Sequence, residues 1–322
     1  MRIFVAGGSG AVGRRLIPVL VERGHAVVAL TRHPAKVAEL EALGASPAVA
    51  DALDPAAVTA AVVQARPEVV IHELTALKGM RDFRHLDRSF AATNRLRTEG
   101  TDNLLVAARA AGARRFVAQS YAGWPYARVG GPAKSEEEPL DPNPPRGARE
   151  TLAAIRHLET AVLAAPELEG VVLRYGGLYG PGTSLEPGGE QFEDLRRRRF
   201  PVVGSGAGIW SFLHVDDAAQ ATAQAVECGA PGLYNVVDDD PAPAAVWLPA
   251  LARMIGAPSP LRLPAWLARL VAGEFVVAAM TEIRGASNAK ARRELGWEPH
   301  HQSWRTGFAT LMGEPRPVRA AA

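Results

Sequence analysis

The sequence predicts an α/β protein with a doubly wound parallel sheet and a smaller, mixed C-terminal lobe. Through residue 175, short runs rich in β-branched residues alternate with amphipathic stretches, as in parallel strands joined by helices. After Gly180 the pattern becomes mixed, and proline-rich joints occur at 241–243, 258–264 and 315–317. At 322 residues the chain exceeds a typical single domain, so we expect one large core and an accessory lobe.

The elements of the first part follow from these periodicities and from the glycines that end helices. We expect strands at 2–6, 26–30, 47–50, 68–72, 114–119 and 170–175. We expect helices near 11–23, 34–43, 55–65, 87–112 and 147–165. Gly24, Gly44 and Gly112 occur where three of these helices should stop. Between the last two helices, the segment 122–147 is rich in glycine and proline, and we interpret it as an irregular lip over a pocket.

Composition and charge exclude several classes of protein. Hydrophobic residues make up 48% of the chain and charged residues 22%, which argues against disorder. The net charge is only +2, so the run Arg196–Arg199 does not indicate nucleic-acid binding. The stretch from Leu263 to Met280 is interrupted by proline and charges and does not predict a membrane span. A single cysteine, Cys228, and an N-terminus without a signal-peptide layout predict a cytoplasmic protein.

A glycine-rich loop follows the first predicted strand and opens the first predicted helix. Three glycines carry this pattern: Gly7 permits a tight turn, Gly10 lets the backbone approach a diphosphate, and Gly13 allows close packing of helix on strand. The residues between them, Ser9, Ala11 and Val12, would present backbone N–H groups to the phosphates. This context predicts a Rossmann βαβ unit that binds NADP or NAD.

The end of the second strand distinguishes between these two cofactors. It reads Thr31-Arg32, where an acidic residue would accept a hydrogen bond from the ribose 2′-hydroxyl of NAD. A guanidinium can instead pair with the 2′-phosphate of NADP. We therefore expect NADP, with NAD as the alternative if Arg32 is merely a solvated side chain.

Taken together, the ordered motifs resemble the extended short-chain dehydrogenase/reductase family of NAD(P)-dependent epimerases and dehydratases. The glycine loop, Asp51, Val70-Ile71-His72, the run 99–105, 173–182, 212–217 and Glu294-Leu295-Gly296-Trp297 all match this pattern over nearly the whole chain. The resemblance implies cofactor contacts from Asp51, Ala52, Leu74, Asn94, Gln119 and Tyr175. It implies a dinucleotide-binding domain at 1–180 plus 211–240, a substrate lobe at 181–210 plus 241–314, and a flexible tail at 315–322. It also implies a homodimer through the helices near 87–112 and 147–165.

The catalytic pair of this family is missing. Its members use a Tyr and a Lys four residues later to move a proton, and these positions fall on Thr151 and Ile155. No Tyr in the chain has a Lys or Arg four residues later. Tyr121 after the fifth strand is our first candidate for a nonstandard proton donor, with Ser120 and Thr151 as hydroxyls that could bind a substrate carbonyl or the cofactor ribose. The chain is therefore identified as an atypical member.

The expected pocket is aromatic. Trp124, Tyr126 and Trp210 are candidate substrate contacts, and Trp210 occupies the place of an arginine that would hold a sugar-nucleotide diphosphate. Aromatic side chains suit an apolar or ring-bearing substrate, although some of these rings could be core packing.

Other polar residues have an alternative, structural interpretation. His72 and Glu73 end the fourth strand and could be tuned as acid or base, but His72 also fits the family pattern without catalysis. Lys78 lies in the following loop. His214, Asp216 and Asp217 have the residue types of a metal site, yet we expect Asp216 to cap a helix at 217–228 and expect no metal.

Three functions remain open. The first is an NADP(H)-dependent oxidoreductase acting on an apolar or aromatic small molecule through a nonstandard proton donor. The second is a catalytically silent NADP(H)-binding sensor that presents the lip to a partner protein. The third is a sugar-nucleotide epimerase or dehydratase, opposed by Thr151, Ile155 and Trp210.

Overall fold

The fold is built on a parallel sheet of seven strands in the order β12-β7-β5-β4-β1-β2-β3. The computed structural model describes residues 1–77, 79 and 82–313; Lys78 and the predicted tail at 315–322 lie outside this range. The strands are β1 (Arg2–Ala6), β2 (Ala26–Thr31), β3 (Ser46–Val49), β4 (Val69–His72), β5 (Arg115–Tyr121), β6 (Ala133–Lys134), β7 (Glu169–Tyr175), β8 (Gly177–Tyr179), β9 (Val202–Val203), β10 (Ile209–Trp210), β11 (Phe212–His214), β12 (Gly232–Val236), β13 (Ala242–Pro243), β14 (Arg262–Leu263) and β15 (Gly285–Ala286).

Helices cover both faces of the sheet, as expected of a doubly wound fold. They are α1 (Ala11–Glu22), α2 (Val37–Ala42), α3 (Pro55–Ala65), α4 (Leu86–Ser89), α5 (Ala91–Arg95), α6 (Thr101–Ala110), α7 (Arg149–Leu163), α8 (Glu190–Arg196), α9 (Val215–Glu227), α10 (Ala244–Met254), α11 (Ala265–Ala272), α12 (Glu274–Thr281) and α13 (Trp304–Leu311). Helices α1 and α9 pack against each other on one face, and α3 and α6 pack on the other. The predicted fold class is confirmed.

Two departures from the predicted elements matter for the site. The predicted helix at 87–112 is divided into α4, α5, a wide π-helical turn at Leu96–Gly100, and α6. The hydroxyls of Thr98 and Thr101 donate to the carbonyls of Asn94 and Arg97, a type of contact that competes with regular helical hydrogen bonds. The sheet also has a seventh strand, β12, which pairs in parallel with β7 and was not among the predicted strands.

A separate apolar core lies in the C-terminal part of the chain. It includes Phe192, Trp247, Met280 and Phe308, and it reaches back to Phe212 at the start of β11. Short strands join this part to the rest: β9 pairs with β14, and β10 pairs with β13. Phe212 belongs to this core although it lies within 211–240, a range that the prediction assigns to the dinucleotide-binding domain. The predicted division into two domains stays a prediction.

The predicted lip at 122–147 has little regular structure and contacts the C-terminal part of the chain. Its two-residue strand β6 pairs with β15, and the Arg128 guanidinium forms ion pairs with Asp141 and Glu282. The Lys134 ammonium is buried and donates to the Val129 carbonyl and the Glu138 carboxylate. The lip is therefore tied to the C-terminal part of the chain.

Across the part of the chain that the structure describes, no helix combines the length and apolar character needed to span a membrane.

Candidate functional site

The glycine loop connects β1 to α1 and leaves the first backbone N–H groups of the helix without side-chain partners. Gly10 stands at the N-cap with an extended backbone, no side chain caps the helix, and the first turn contains no acidic residue. Unpaired N–H groups and the positive end of the helix dipole together attract an anion.

Close packing explains why this loop needs glycine. Gly7 has a φ of +105°, and a Cβ there would lie 2.6 Å from the carbonyl carbon and oxygen of Glu73. A Cβ on Gly13 would lie 2.3 Å from the Gly7 carbonyl oxygen, which no side chain can accommodate. The backbone at Ser9, Ala11 and Val12 therefore borders a cradle free of side-chain obstruction, and this cradle fits the diphosphate of a dinucleotide.

Positive side chains gather beside the end of β2. Arg32 is exposed, and its Nε donates to His33 Nε2 at 3.1 Å. Arg14 and Lys36 both form ion pairs with Glu39, at 2.5 and 2.7 Å. The Glu39 carboxylate thus pairs with two cations, so one positive charge is left in excess beside the cradle.

The turn after β3 holds the residues predicted for the adenine side. Asp51 Oδ1 accepts the backbone N–H of Leu53 at 2.9 Å, and the Ala52 carbonyl accepts from Asn103 on α6 at 2.9 Å. These bonds fix the turn, while the Asp51 side chain stays partly exposed.

His72 connects β4 to the π-helical turn. Its Nε2 lies 3.2 Å from the Leu96 carbonyl and 3.1 Å from the Thr101 hydroxyl, and its Nδ1 accepts the N–H of Leu74. Burial lowers the pKa of His72 to about 4, so the ring is neutral at physiological pH. These contacts explain His72 as a structural residue that links β4 to the π-helical turn.

Helix α7 places Thr151 and Ile155 inside the protein. The Thr151 hydroxyl donates to Asp87 Oδ1 at 2.8 Å and accepts from the Asn94 amide at 3.1 Å. Its only hydrogen is therefore already donated to a carboxylate. Ile155 is buried and apolar, so this part of α7 supplies no cation.

A buried ion pair lies one turn further along α7. Glu159 accepts from Arg174 Nε at 2.7 Å and Nη2 at 2.5 Å, and the Ser120 hydroxyl donates to the same carboxylate at 2.7 Å. Bidentate geometry and burial make this a strong pair. Ser120 is thus held against Glu159 rather than directed toward open space.

Tyr121 and Arg97 lie near each other at the end of β5. Burial raises the pKa of Tyr121 to about 12, and the positive charge of Arg97 opposes this increase. Among the described residues the Tyr121 hydroxyl makes no hydrogen bond. Sequence reasoning identified Tyr121 but missed Arg97, because Arg97 follows Arg95 in a stretch that is typical of a solvated helix face.

The predicted aromatic residues differ in their surroundings. Tyr126 is fully buried and donates to Asn235 at 2.7 Å, and the Trp210 indole donates to the Ala279 carbonyl at 2.9 Å. Trp124 is partly exposed and meets the ring of Phe275 edge-on at 5.4 Å. Tyr175 contacts Glu73 and is buried. Gln119, on β5 opposite Leu173, is partly exposed.

The structure differs from the prediction at His214, Asp216 and Asp217, which follow β11 or end it. His214, not Asp216, is the N-cap of α9: its Nδ1 accepts the N–H of Asp216 at 3.2 Å. The prediction that Asp216 caps the helix is wrong, because Asp216 lies in the first turn and pairs with Arg15. The ligand atoms of His214, Asp217 and His301 lie within 4.8 Å of one another, but the Asp217 carboxylate already accepts the backbone N–H groups of residues 300 and 301.

Comparisons with known proteins agree with this architecture. A Streptomyces protein named 3-diazoavenalumate denitrifying reductase is 49% identical over 309 residues, covering 96% of this chain and 99% of that protein. A 2-alkyl-3-oxoalkanoate reductase from Stenotrophomonas maltophilia is 32% identical, covering 80% of this chain and 77% of that protein. A crystal structure of UDP-glucose 4-epimerase with UDP-glucose from Thermotoga maritima has a TM-score of 0.75 at 23% identity, covers 97% of this chain and 98% of that one, and bears on the fold alone.

The model of the family described as NAD dependent epimerase/dehydratase matches residues 3–236, which include the glycine loop and the ends of β4, β5 and β7. Its description agrees with the nicotinamide dinucleotide expected from that loop. The chain therefore belongs to the NAD dependent epimerase/dehydratase family.

Proposed function

We propose that this protein is an NADPH-dependent reductase that replaces the diazo group of a small aromatic carboxylate with hydrogen and releases dinitrogen. The relative at 49% identity supports this substrate class by its name. The observation that carries the proposal is the chemistry of α7, where the Thr151 hydroxyl donates to Asp87 and Ile155 is buried and apolar. We take these two residues to stand where the family pattern has its acid–base pair.

A hydride transfer of this kind suits a site without that pair. Bound NADPH supplies a hydride, and when hydride replaces a diazonium group at carbon, dinitrogen leaves with the C–N electron pair, so no proton is required. The hydroxyls of Thr151 and Ser120 donate to Asp87 and Glu159, so neither has a hydrogen free for a substrate. The role of this chain is then to orient the two reactants and to keep water away.

The glycine loop would hold the cofactor diphosphate, and the corner beside β2 would select NADP. Arg32 can pair with a 2′-phosphate, and Arg14 and Lys36 add positive charge that Glu39 only partly balances. Trp124 and Phe275, which are partly exposed, would provide an apolar surface for an aromatic ring.

Carbonyl reduction is the second candidate. It needs a proton as well as a hydride, and the unpartnered Tyr121 hydroxyl near the positive charge of Arg97 favours Tyr121 as the nonstandard donor. The 32% identical relative, named for a 3-oxoalkanoate substrate, supports this alternative.

One assay separates these functions. The protein is incubated with NADPH deuterated at C4 and either 4-carboxybenzenediazonium or 4-acetylbenzoate, and deuterium in the product is measured above the rate without protein. We expect deuterated benzoate and dinitrogen from the first substrate. Tyr121→Phe should leave this rate within about twofold, whereas loss of a general acid would slow ketone reduction roughly 100-fold or more. Tyr234→Phe is the matched control, because the Tyr234 hydroxyl donates to the Ala230 carbonyl, away from Tyr121 and Arg97.

Two other results would contradict the proposal. Turnover of the ketone alone, abolished in Tyr121→Phe, would establish the carbonyl reductase instead. Tight NADPH binding without consumption of either substrate would favour the silent sensor.

The cofactor preference has its own test. Arg32→Ala should lower the affinity for NADPH by about tenfold or more and leave NADH binding unchanged, since a charge-assisted bond to phosphate is worth about 1.5–3 kcal/mol. Binding of both cofactors is measured by the fluorescence of the reduced nicotinamide. Arg66→Ala is the control, because Arg66 lies between α3 and the start of β4, away from the end of β2. An unchanged NADPH/NADH ratio would show that Arg32 does not select NADP.

A further inference from the structure

Arg97 is a buried cation that has no ion-pair partner among the described residues. Its side chain is 7% exposed, and its Nη1 has no hydrogen-bond acceptor. Among residues 1–77, 79 and 82–313, no carboxylate forms an ion pair with it; the nearest aromatic contact places its guanidinium 5.9 Å from the Phe90 ring centre. Arg97 belongs to the π-helical turn, a type of distortion that is frequent at functional sites.

The charges near Arg97 do not balance. Glu159 and Tyr121 are the groups whose negative charge would favour the ionised guanidinium, and Glu159 already holds Arg174 and Ser120. Glu159 therefore balances the charge of Arg174, and the positive charge of Arg97 is left without a carboxylate of its own. Burial lowers the pKa of Arg97 to about 10, so the side chain still carries its charge at physiological pH.

A buried charge without a counterion destabilises the free protein, because its hydration has been lost and nothing replaces it. Arginine is well suited to bind a carboxylate through two parallel hydrogen bonds. An anion that entered this site would restore the missing interaction and would therefore bind more tightly than a neutral analogue of the same shape.

We infer that Arg97 is the receptor for the carboxylate of the substrate. The inference rests on the proposed function in placing the substrate at the end of β5, next to Tyr121. It concerns the acid group alone, and it applies whether the reacting group is a diazo function or a ketone. The names of both reductase relatives, an avenalumate and an alkanoate, are those of carboxylates.

The test measures binding rather than turnover. Protein saturated with NADP⁺ is titrated by calorimetry with 4-hydroxycinnamate and with its methyl ester. The wild type should prefer the acid by at least about tenfold, and Arg97→Met should weaken acid binding by about 30-fold without affecting the ester. Arg97→Lys should bind the acid with an affinity between those of the wild type and of Arg97→Met. Arg95→Met is the matched control, because Arg95 precedes Arg97 by two residues but is exposed and pairs with Glu99.

Thermal unfolding of the ligand-free variants distinguishes a receptor from a structural residue. Arg97→Met should be at least as stable as the wild type, since it removes an uncompensated buried charge. Failure of this variant to fold, equal loss of acid and ester binding, or an acid preference that survives in Arg97→Met would each overturn the inference. Absence of dinitrogen release with an intact, Arg97-dependent acid preference would contradict only the proposed reaction.

Discussion

At the scale of single residues, Glu73 is a buried carboxyl beside the glycine loop. Its Oε1 accepts a hydrogen bond from the Tyr175 hydroxyl at 2.7 Å, and its Oε2 has no hydrogen-bond partner among the described residues. Burial raises the pKa of Glu73 to about 8. The carboxyl next to Gly7 is therefore neutral at pH 7 and does not repel a bound diphosphate.

This protonation makes stability depend on pH. The folded protein holds the Glu73 proton up to about pH 8, whereas the unfolded chain releases it near pH 4.5, so the free energy of unfolding falls as pH rises through this window. One such group contributes a slope of about 1.4 kcal/mol per pH unit. Glu73→Gln should therefore reduce the slope and gain most stability, relative to the wild type, near pH 8.

Urea unfolding of the cofactor-free protein at pH 5.5 and 7.5 measures this effect. Asp238 is the comparison, because burial also raises its pKa to about 8. Asp238→Asn should therefore also reduce the fall of the unfolding free energy with rising pH. An equal loss of stability at both pH values in Glu73→Gln would mean that Glu73 is ionised in the folded protein.

At the scale of elements, prediction succeeded where the signal is local. The glycine spacing, the strand before it and the helix after it are contiguous, so the cradle at Gly7–Gly13 was found from sequence. Strand β12 was missed because its five residues include Gly232 and Asn235, which are depleted in strands, so its local pattern is weak. The division of the helix at Leu96–Gly100 depends on threonine hydroxyls and on His72, and helical periodicity does not reveal such contacts.

The site residues were likewise predictable from sequence only where the signal is local. Counting residues from Glu159 predicts that Thr151 and Ile155 stand at the positions of the acid–base pair, and this assignment stays a prediction. It did not show that Asp87 takes the Thr151 hydrogen or that Arg97 is buried with no ion-pair partner in the described part of the chain. Both facts arise from contacts between α4, α7 and the π-helical turn.

At the scale of the whole molecule, the outer face of α7 is open. Its groove is lined by Ala153, Arg156, His157, Thr160 and Ala161, and the neighbouring Val106 on α6 is 51% exposed. Ala153, Thr160 and Ala161 are small enough for a second helix to approach closely, and an exposed apolar residue beside them favours burial against another surface. This is the face through which we expect the homodimer.

The oligomeric state tests that expectation. The wild type should sediment at twice its mass of 34.1 kDa, and Ala153→Arg should sediment as a monomer, because the added charge would be buried without a partner. Leu270→Arg on α11, where Trp266, Leu270 and Val271 form a second exposed apolar face, is the control and should remain a dimer. Dissociation by Leu270→Arg alone would show that the interface lies in the C-terminal part of the chain. A monomeric wild type at micromolar concentration would exclude a stable dimer. Because Ala153 is exposed and forms none of the contacts that hold Thr151 or Glu159, its substitution separates assembly from the integrity of the site.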